Sequence, residues 1–144
     1  MTAMKYGFSR LVLLVAFLWS GAALAGEPAI SDAWLRPPAV AGRPGALYFT
    51  LINPGPATAI VAVKAPIAGR AELHAHGMAG GIMRMRKVER VEVAAGGQVQ
   101  FQPHGYHVML FNLDEAKLGA AADVSFTLLL EGGAKVAGQA AIKR

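Results

Sequence analysis

The sequence predicts a single all-β domain, an antiparallel β-sandwich or Greek-key barrel, on three observations. From Gly26 onward, short apolar segments alternate with turns built on glycine and proline. These segments recur at short, regular spacing, which is the pattern of a sandwich or barrel. No helical period is sustained over more than two turns.

In chain order, Ile30–Arg36 reads as a strand closed by Pro37-Pro38, and Ala46–Asn53 as a rich apolar strand stopped by Pro54-Gly55-Pro56. Thr58–Lys64, Ala71–His76, Ile82–Val88, Val91–Ala94 and Gln98–Gln102 follow as shorter strands. Tyr106–Leu113 comes next, then Asp123–Leu130 and Ala134–Ile142, joined by a Glu131-Gly132-Gly133 turn. Asp114–Ala122 is expected to be a loop crossing the barrel end, with one helical turn as the alternative. Repeats, linkers and low-complexity tracts are absent from the sequence, so residues 26–144 are expected to form one domain with a real core.

Residues 1–25 read as a secretory signal peptide. Lys5 and Arg10 supply the positive start, Leu11 to Trp19 the apolar run, and Ala23-Leu24-Ala25 the small residues a signal peptidase reads. Cleavage is expected after Ala25. The run falls short of the roughly 20 residues a membrane span needs, and an uncleaved anchor is the alternative. No cysteine follows the run to carry a lipid, and no twin-arginine pair precedes it. Export to the periplasm by the general secretory route is therefore expected, giving a soluble monomer after cleavage.

The formal charge of +5 includes Lys5 and Arg10, so the mature chain is only mildly basic and gives no reason to invoke nucleic acid. The chain has no cysteine. Stability then comes from packing without disulfides, and a thiolate-centred blue-copper site is excluded.

All four histidines, His74, His76, His104 and His107, lie between His74 and Met109, as do the four methionines beyond the N-terminal segment: Met78, Met83, Met85 and Met109. Imidazole and thioether without thiolate suit copper, Cu(I) above all, because a soft monovalent ion accepts neutral sulfur. Zinc prefers thiolate, imidazole or carboxylate, and calcium wants oxygen. Strand alternation sets Glu72, His74 and His76 on one face, opposite Ala71, Leu73 and Ala75. It sets Met83 with Met85, opposite Arg84 and Arg86, and His107 with Met109 and Phe111, opposite Tyr106, Val108 and Leu110.

The spacing is sharper. His74, ten residues, Met85, twenty-one residues, His107, one residue, Met109 resembles the histidine–methionine pattern of the periplasmic copper chaperones called PCu(A)C. Glu72-Leu73-His74, the run from Gly81 to Arg86, Ala95-Gly96-Gly97 and the run from Gly105 to Leu110 also match the family's style. Trp34-Leu35-Arg36 and the Tyr48–Asn53 strand with its Pro-Gly stop do so more weakly. The resemblance implies a cupredoxin-like β-barrel binding one Cu(I) through His74, Met85, His107 and Met109. It further implies delivery toward the CuA centre of cytochrome c oxidase subunit II, alone or with a Sco-type thiol protein. Two features depart from the family: His104 stands in a Pro-x-Gly turn where glycine is usual, and the chain ends at Arg144 without the His/Met-rich tail some members carry. His104 leaves open an accessory Cu(II) or zinc contact, with His76 as its partner.

Competing readings attach to each residue. Met83 and Met85 would serve as gap-filling core methionines, Met78 as a loop bystander, His107 as a hydrogen-bonded surface histidine and His104 as a turn residue. The basic run Arg84, Arg86, Lys87 and Arg90 is either a guarded strand edge or a docking patch for an acidic partner. At the level of function, the rivals to delivery are copper buffering or tolerance without a dedicated client and a His-based metalloenzyme. The latter would need a carboxylate base, and only Glu72 is near in sequence. A non-enzymatic role is expected.

Overall fold

A computed structural model describes residues 26–144; the expected signal segment, 1–25, lies outside the described residues. Ten strands and one short helix form the domain. They are β1 (Ala29–Arg36), β2 (Gly45–Ile52), β3 (Thr58–Lys64), β4 (Ala68–Ala79), β5 (Ile82–Lys87), β6 (Val91–Val93), β7 (Gln98–Phe101), β8 (His107–Leu113), α1 (Glu115–Ala120), β9 (Asp123–Leu130) and β10 (Lys135–Ile142). The sheet runs β5-β4-β8-β2-β1-β10-β9-β3-β6. β2 changes partners along one edge: Gly45–Leu47 pair with β8, and Phe49–Ile52 pair with β7.

Alternating side chains supply the interior. Leu47, Phe49 and Leu51 of β2, Leu73 of β4, Val108 and Leu110 of β8 and Phe126 and Leu128 of β9 are all buried in one core. Phe49 stacks on Phe101 at 4.3 Å and tilts against Phe126 at 5.5 Å. Gly138 of β10 is required at this seam, since an added Cβ would stand 2.7 Å from the Phe126 ring and 2.9 Å from Ile30.

Three features differ from the sequence expectation. First, β1 and β10 pair in parallel, at Trp34–Ala141 and Leu35–Ile142, within an otherwise antiparallel sheet. The strands are far apart in sequence, so the hairpin logic that makes neighbours antiparallel does not bind them. Second, Asp114 starts a helix over Glu115–Ala120 instead of a loop, its carboxylate accepting from the Lys117 N–H at 3.1 Å. Third, β4 continues to Ala79, past the expected end at His76, and turns into β5 through Gly80-Gly81, both at positive φ.

Buried Asn53 fixes the opposite end. Its Nδ2 donates to the carbonyls of Pro56 (2.8 Å) and Ala94 (3.2 Å), while its Oδ1 accepts from the Gly55 N–H (3.1 Å). One side chain thereby ties the Pro54-Gly55-Pro56 turn to the loop after β6.

Candidate metal centre

β5, β4 and β8 lie side by side, and their register decides what meets on the outer face. His74 stands directly across from His107 on one side and Lys87 on the other. His76 stands across from Met85, and Glu72 across from Met109. Residues directly opposite on antiparallel strands share a face, so Glu72, His74, His76, Met85, His107 and Met109 project together, away from Leu73, Ala75 and Val108. His74, on the central strand, is the direct neighbour of His107 and the diagonal neighbour of Met85 and Met109.

This face is not uniformly open. His107 is 2% exposed, whereas Met85 is 49% exposed and Met83 54%. The exposure of both β5 methionines removes the gap-filling reading, because neither lies in the core. The burial of His107 removes the reading of a surface histidine. A pocket of about 340 Å³ opens here, lined by Met85, His107 and Met109 together with His76, His104 and Tyr48. His74 does not line it; its ring packs beside His107 at 5.7 Å. Tyr48 extends from β2 to within 6.4 Å of the His107 ring and packs tilted against Trp34 at 4.5 Å. The Arg36 guanidinium caps both aromatic rings at 5.4–5.6 Å.

Hydrogen bonds fix the histidine tautomers. Glu72 accepts from His74 Nε2 at 3.0 Å and from Arg70 Nε at 3.1 Å, with Lys87 Nζ at 3.8 Å. The His74 hydrogen bond, aided by Lys87 and Arg70, holds the Glu72 carboxyl below its ordinary range. A carboxylate can only accept, so His74 carries its proton on Nε2 and keeps a lone pair on Nδ1. The Gly105 carbonyl likewise only accepts; His107 Nδ1 and His76 Nδ1 each approach it at 3.2 Å. His107 therefore keeps its lone pair on Nε2. Burial pushes the His107 pKa down, and nearby His76 and His74 add to that against the opposing Gly105 bond.

Among the described residues, two buried side-chain nitrogens or oxygens lack a hydrogen-bond partner: His74 Nδ1 and His107 Nε2. Leaving such groups unsatisfied costs about 1–3 kcal/mol each. They belong to directly opposed residues and carry the two lone pairs that the tautomers leave for a ligand. No group of three or more His, Asp or Glu residues suited to a metal is present among the described residues. The other soft donors that share this face are the thioethers of Met85 and Met109.

The sequence reading did not single out Tyr48 or the Gly105 carbonyl. Tyr48 was accessible from β2 alternation, which sets it opposite Leu47 and Phe49. The Gly105 carbonyl carried no signal, because a backbone oxygen's role depends on the path of the turn. The basic run divides in the structure: Arg90 pairs with Glu92 and Glu131, Lys87 with Glu72, while Arg84 and Arg86 make no ion pair among the described residues.

Fold and site together define a small β-barrel carrying a histidine–methionine face. Residues 28–142 match the LpqE-like family model, and the chain belongs to this family, within the PCuAC proteins. That family is described as one of lipoproteins, while these 144 residues contain no cysteine to carry a lipid. The copper-bound PCuAC domain from PmoF2 is similar in fold, at 21% identity and a TM-score of 0.65, over 83% of this chain and 94% of that one. The apo PCuAC domain from PmoF1 aligns at 24% identity and a TM-score of 0.65, over 83% and 95% of the two chains. The solution structure of CuI-DR1885 from Deinococcus radiodurans aligns at 28% identity and a TM-score of 0.57, over 86% of this chain and 81% of that one. No curated protein matches the sequence. The cupredoxin-like all-β class expected from the sequence is the fold observed.

Proposed function

We propose that this protein is a periplasmic copper chaperone that holds one Cu(I) through His74, Met85, His107 and Met109. The observation that carries the reading is the pair of buried, unpartnered lone pairs on His74 Nδ1 and His107 Nε2. Both belong to residues selected independently by the spacing of the sequence. The copper-bound PCuAC domain from PmoF2 and CuI-DR1885 support the same cargo. Glu72 behind His74 and the Gly105 carbonyl behind His107 supply the outer contacts that orient metal-binding imidazoles.

Four neutral donors leave the bound ion with its single positive charge, and they suit a soft metal. Exposed Met85 is the donor an incoming ligand reaches first, with buried His107 released last. A thiolate acceptor binds Cu(I) more strongly than a thioether does, so transfer runs toward cysteine-bearing clients. The acceptor we propose is the CuA site of cytochrome c oxidase subunit II, reached directly or through a Sco-type thiol protein. Arg84 and Arg86 offer free cationic contacts to an acidic client surface, which makes transfer salt-sensitive. Glu72 is engaged by Arg70, Lys87 and His74, which favours carriage over hydrolysis, since a hydrolytic centre needs a free base.

Anaerobic Cu(I) titration against a chromogenic chelator tests the reading, using the parent and a Met85→Leu/Met109→Leu variant. One tight equivalent in the parent and its loss in a folded variant is the expected result. Equal binding in both would refute the site. Copper buffering without a client is separated by oxidase activity in a deletion strain: loss rescued by added copper indicates delivery.

A further inference from the structure

The four histidine rings form a connected series from the interior to solvent. His74 and His107 are 5.7 Å apart, His107 and His76 5.1 Å, and His76 and His104 6.0 Å. Exposure rises along it, from buried His107 through half-buried His76 to exposed His104. We propose that His76 and His104 form an outer, two-coordinate Cu(I) position through which the ion enters and leaves the inner set. This rests on the copper-carrier reading above.

Geometry favours a linear arrangement of the outer pair. With metal–nitrogen bonds of about 2 Å and ring centres roughly 1 Å behind the nitrogens, two imidazoles in line place their centres about 6 Å apart, whereas a right-angle arrangement brings them to about 4.2 Å. The observed 6.0 Å leaves room for one ion between the rings in the linear arrangement that two-coordinate Cu(I) adopts. His76 Nδ1 is directed at the Gly105 carbonyl, which leaves Nε2 as the donor. His104 makes no side-chain hydrogen bond among the described residues, so its ring is available.

Electrostatics selects the oxidation state. No carboxylate lines the pocket, and Arg36 does. A divalent ion would place twice the charge beside that guanidinium with no anionic ligand to offset it, and repulsion scales with charge. A monovalent ion suits the setting better. Met85 stands across from His76 and lines the same pocket, so it borders both positions. The ion can therefore pass inward by exchanging one donor at a time.

The backbone adds a further observation. His104 sits at φ 67°, in the left-handed region. A non-glycine residue there costs about 1–2 kcal/mol, so the turn carries an imidazole where glycine would relieve strain. Strain of this kind concentrates at functional positions.

The test is anaerobic Cu(I) titration of the exported protein, followed by NMR of the histidine rings, with His104→Gly as the variant. Glycine suits the positive φ, so the turn is retained. In the parent, a first equivalent is expected to shift His74 and His107, and a second, weaker one His76 and His104. In His104→Gly the second equivalent disappears, the first keeps its affinity, and its release to a chromogenic chelator slows several-fold. A second equivalent retained in His104→Gly would overturn the proposal. So would a parent that binds only one equivalent and releases it at the variant's rate. Failure of the parent to bind Cu(I) at all would overturn the carrier reading and this proposal with it.

Discussion

His74 and His107 face each other across the β4–β8 ladder with ring centres 5.7 Å apart, and each keeps one buried nitrogen without a protein partner. Two imidazoles on one tetrahedral ion have ring centres about 5 Å apart, a little less than the separation of these two rings. Their remaining nitrogens are already committed, to Glu72 and to the Gly105 carbonyl. The fold thereby leaves one defined atom of each ring without a protein partner.

Glu72 should matter for copper without touching it. Glu72→Gln removes the carboxylate that keeps the His74 proton on Nε2, and losses of about 10–100-fold in metal affinity are typical of such contacts. Chelator competition is expected to show a drop of that size, with circular dichroism unchanged. Unchanged affinity would mean that His74 is not a ligand.

The depressed pKa of His107 sets a pH window. Its folded value lies below the ordinary imidazole value of about 6.5, because burial disfavours the imidazolium. As pH falls below about 6.5, the unfolded chain takes up the proton first, so the stability this group contributes is complete above that pH. It is lost progressively as pH falls through the folded value. Urea midpoints of copper-free protein are expected to be flat above neutrality and to fall on mild acidification. Proton competition with copper at His107 follows that lowered folded value, so it sets in only as pH falls toward it. Cu(I) affinity that never weakens as the protein is acidified would argue against histidine ligation.

Met85 separates binding from stability. It is 49% exposed on an edge strand, and substitutions at such positions usually move stability by no more than about 0.5 kcal/mol. Met85→Leu is expected to leave the thermal midpoint within error and to weaken Cu(I) by at least about tenfold, which is 1.4 kcal/mol. A variant with lower stability and unchanged affinity would return Met85 to a packing role.

Asn53 gives the converse case. Asn53→Ala strips partners from the Pro56 and Ala94 carbonyls and the Gly55 N–H, at a cost of about 2 kcal/mol. Denaturant titration should show that loss, with Cu(I) affinity retained. Reduced copper affinity in folded protein would reveal coupling between the two ends of the barrel.

Much of this fold was legible in the sequence. Thr58–Lys64 and Asp123–Leu130 match β3 and β9 residue for residue, the first bounded by prolines on both sides and the second stopped by Glu131-Gly132-Gly133. The helix at Glu115–Ala120 was missed in favour of a loop, although Asp114 is a strong N-cap residue. Its six residues are too few to display a period. The parallel β1–β10 contact was invisible because local pattern carries no information on long-range pairing. At the candidate site, alternation correctly grouped His74 with His76 and Met83 with Met85, but not the burial of His107. That burial depends on Tyr48 and the turn at Gly105, which come from other parts of the chain.

The most direct test of the central claim is X-ray absorption at the copper K-edge of protein loaded with one equivalent of Cu(I). A first shell with both imidazole nitrogen and thioether sulfur, two of each, is the predicted result. A shell of nitrogen and oxygen alone would contradict the histidine–methionine centre.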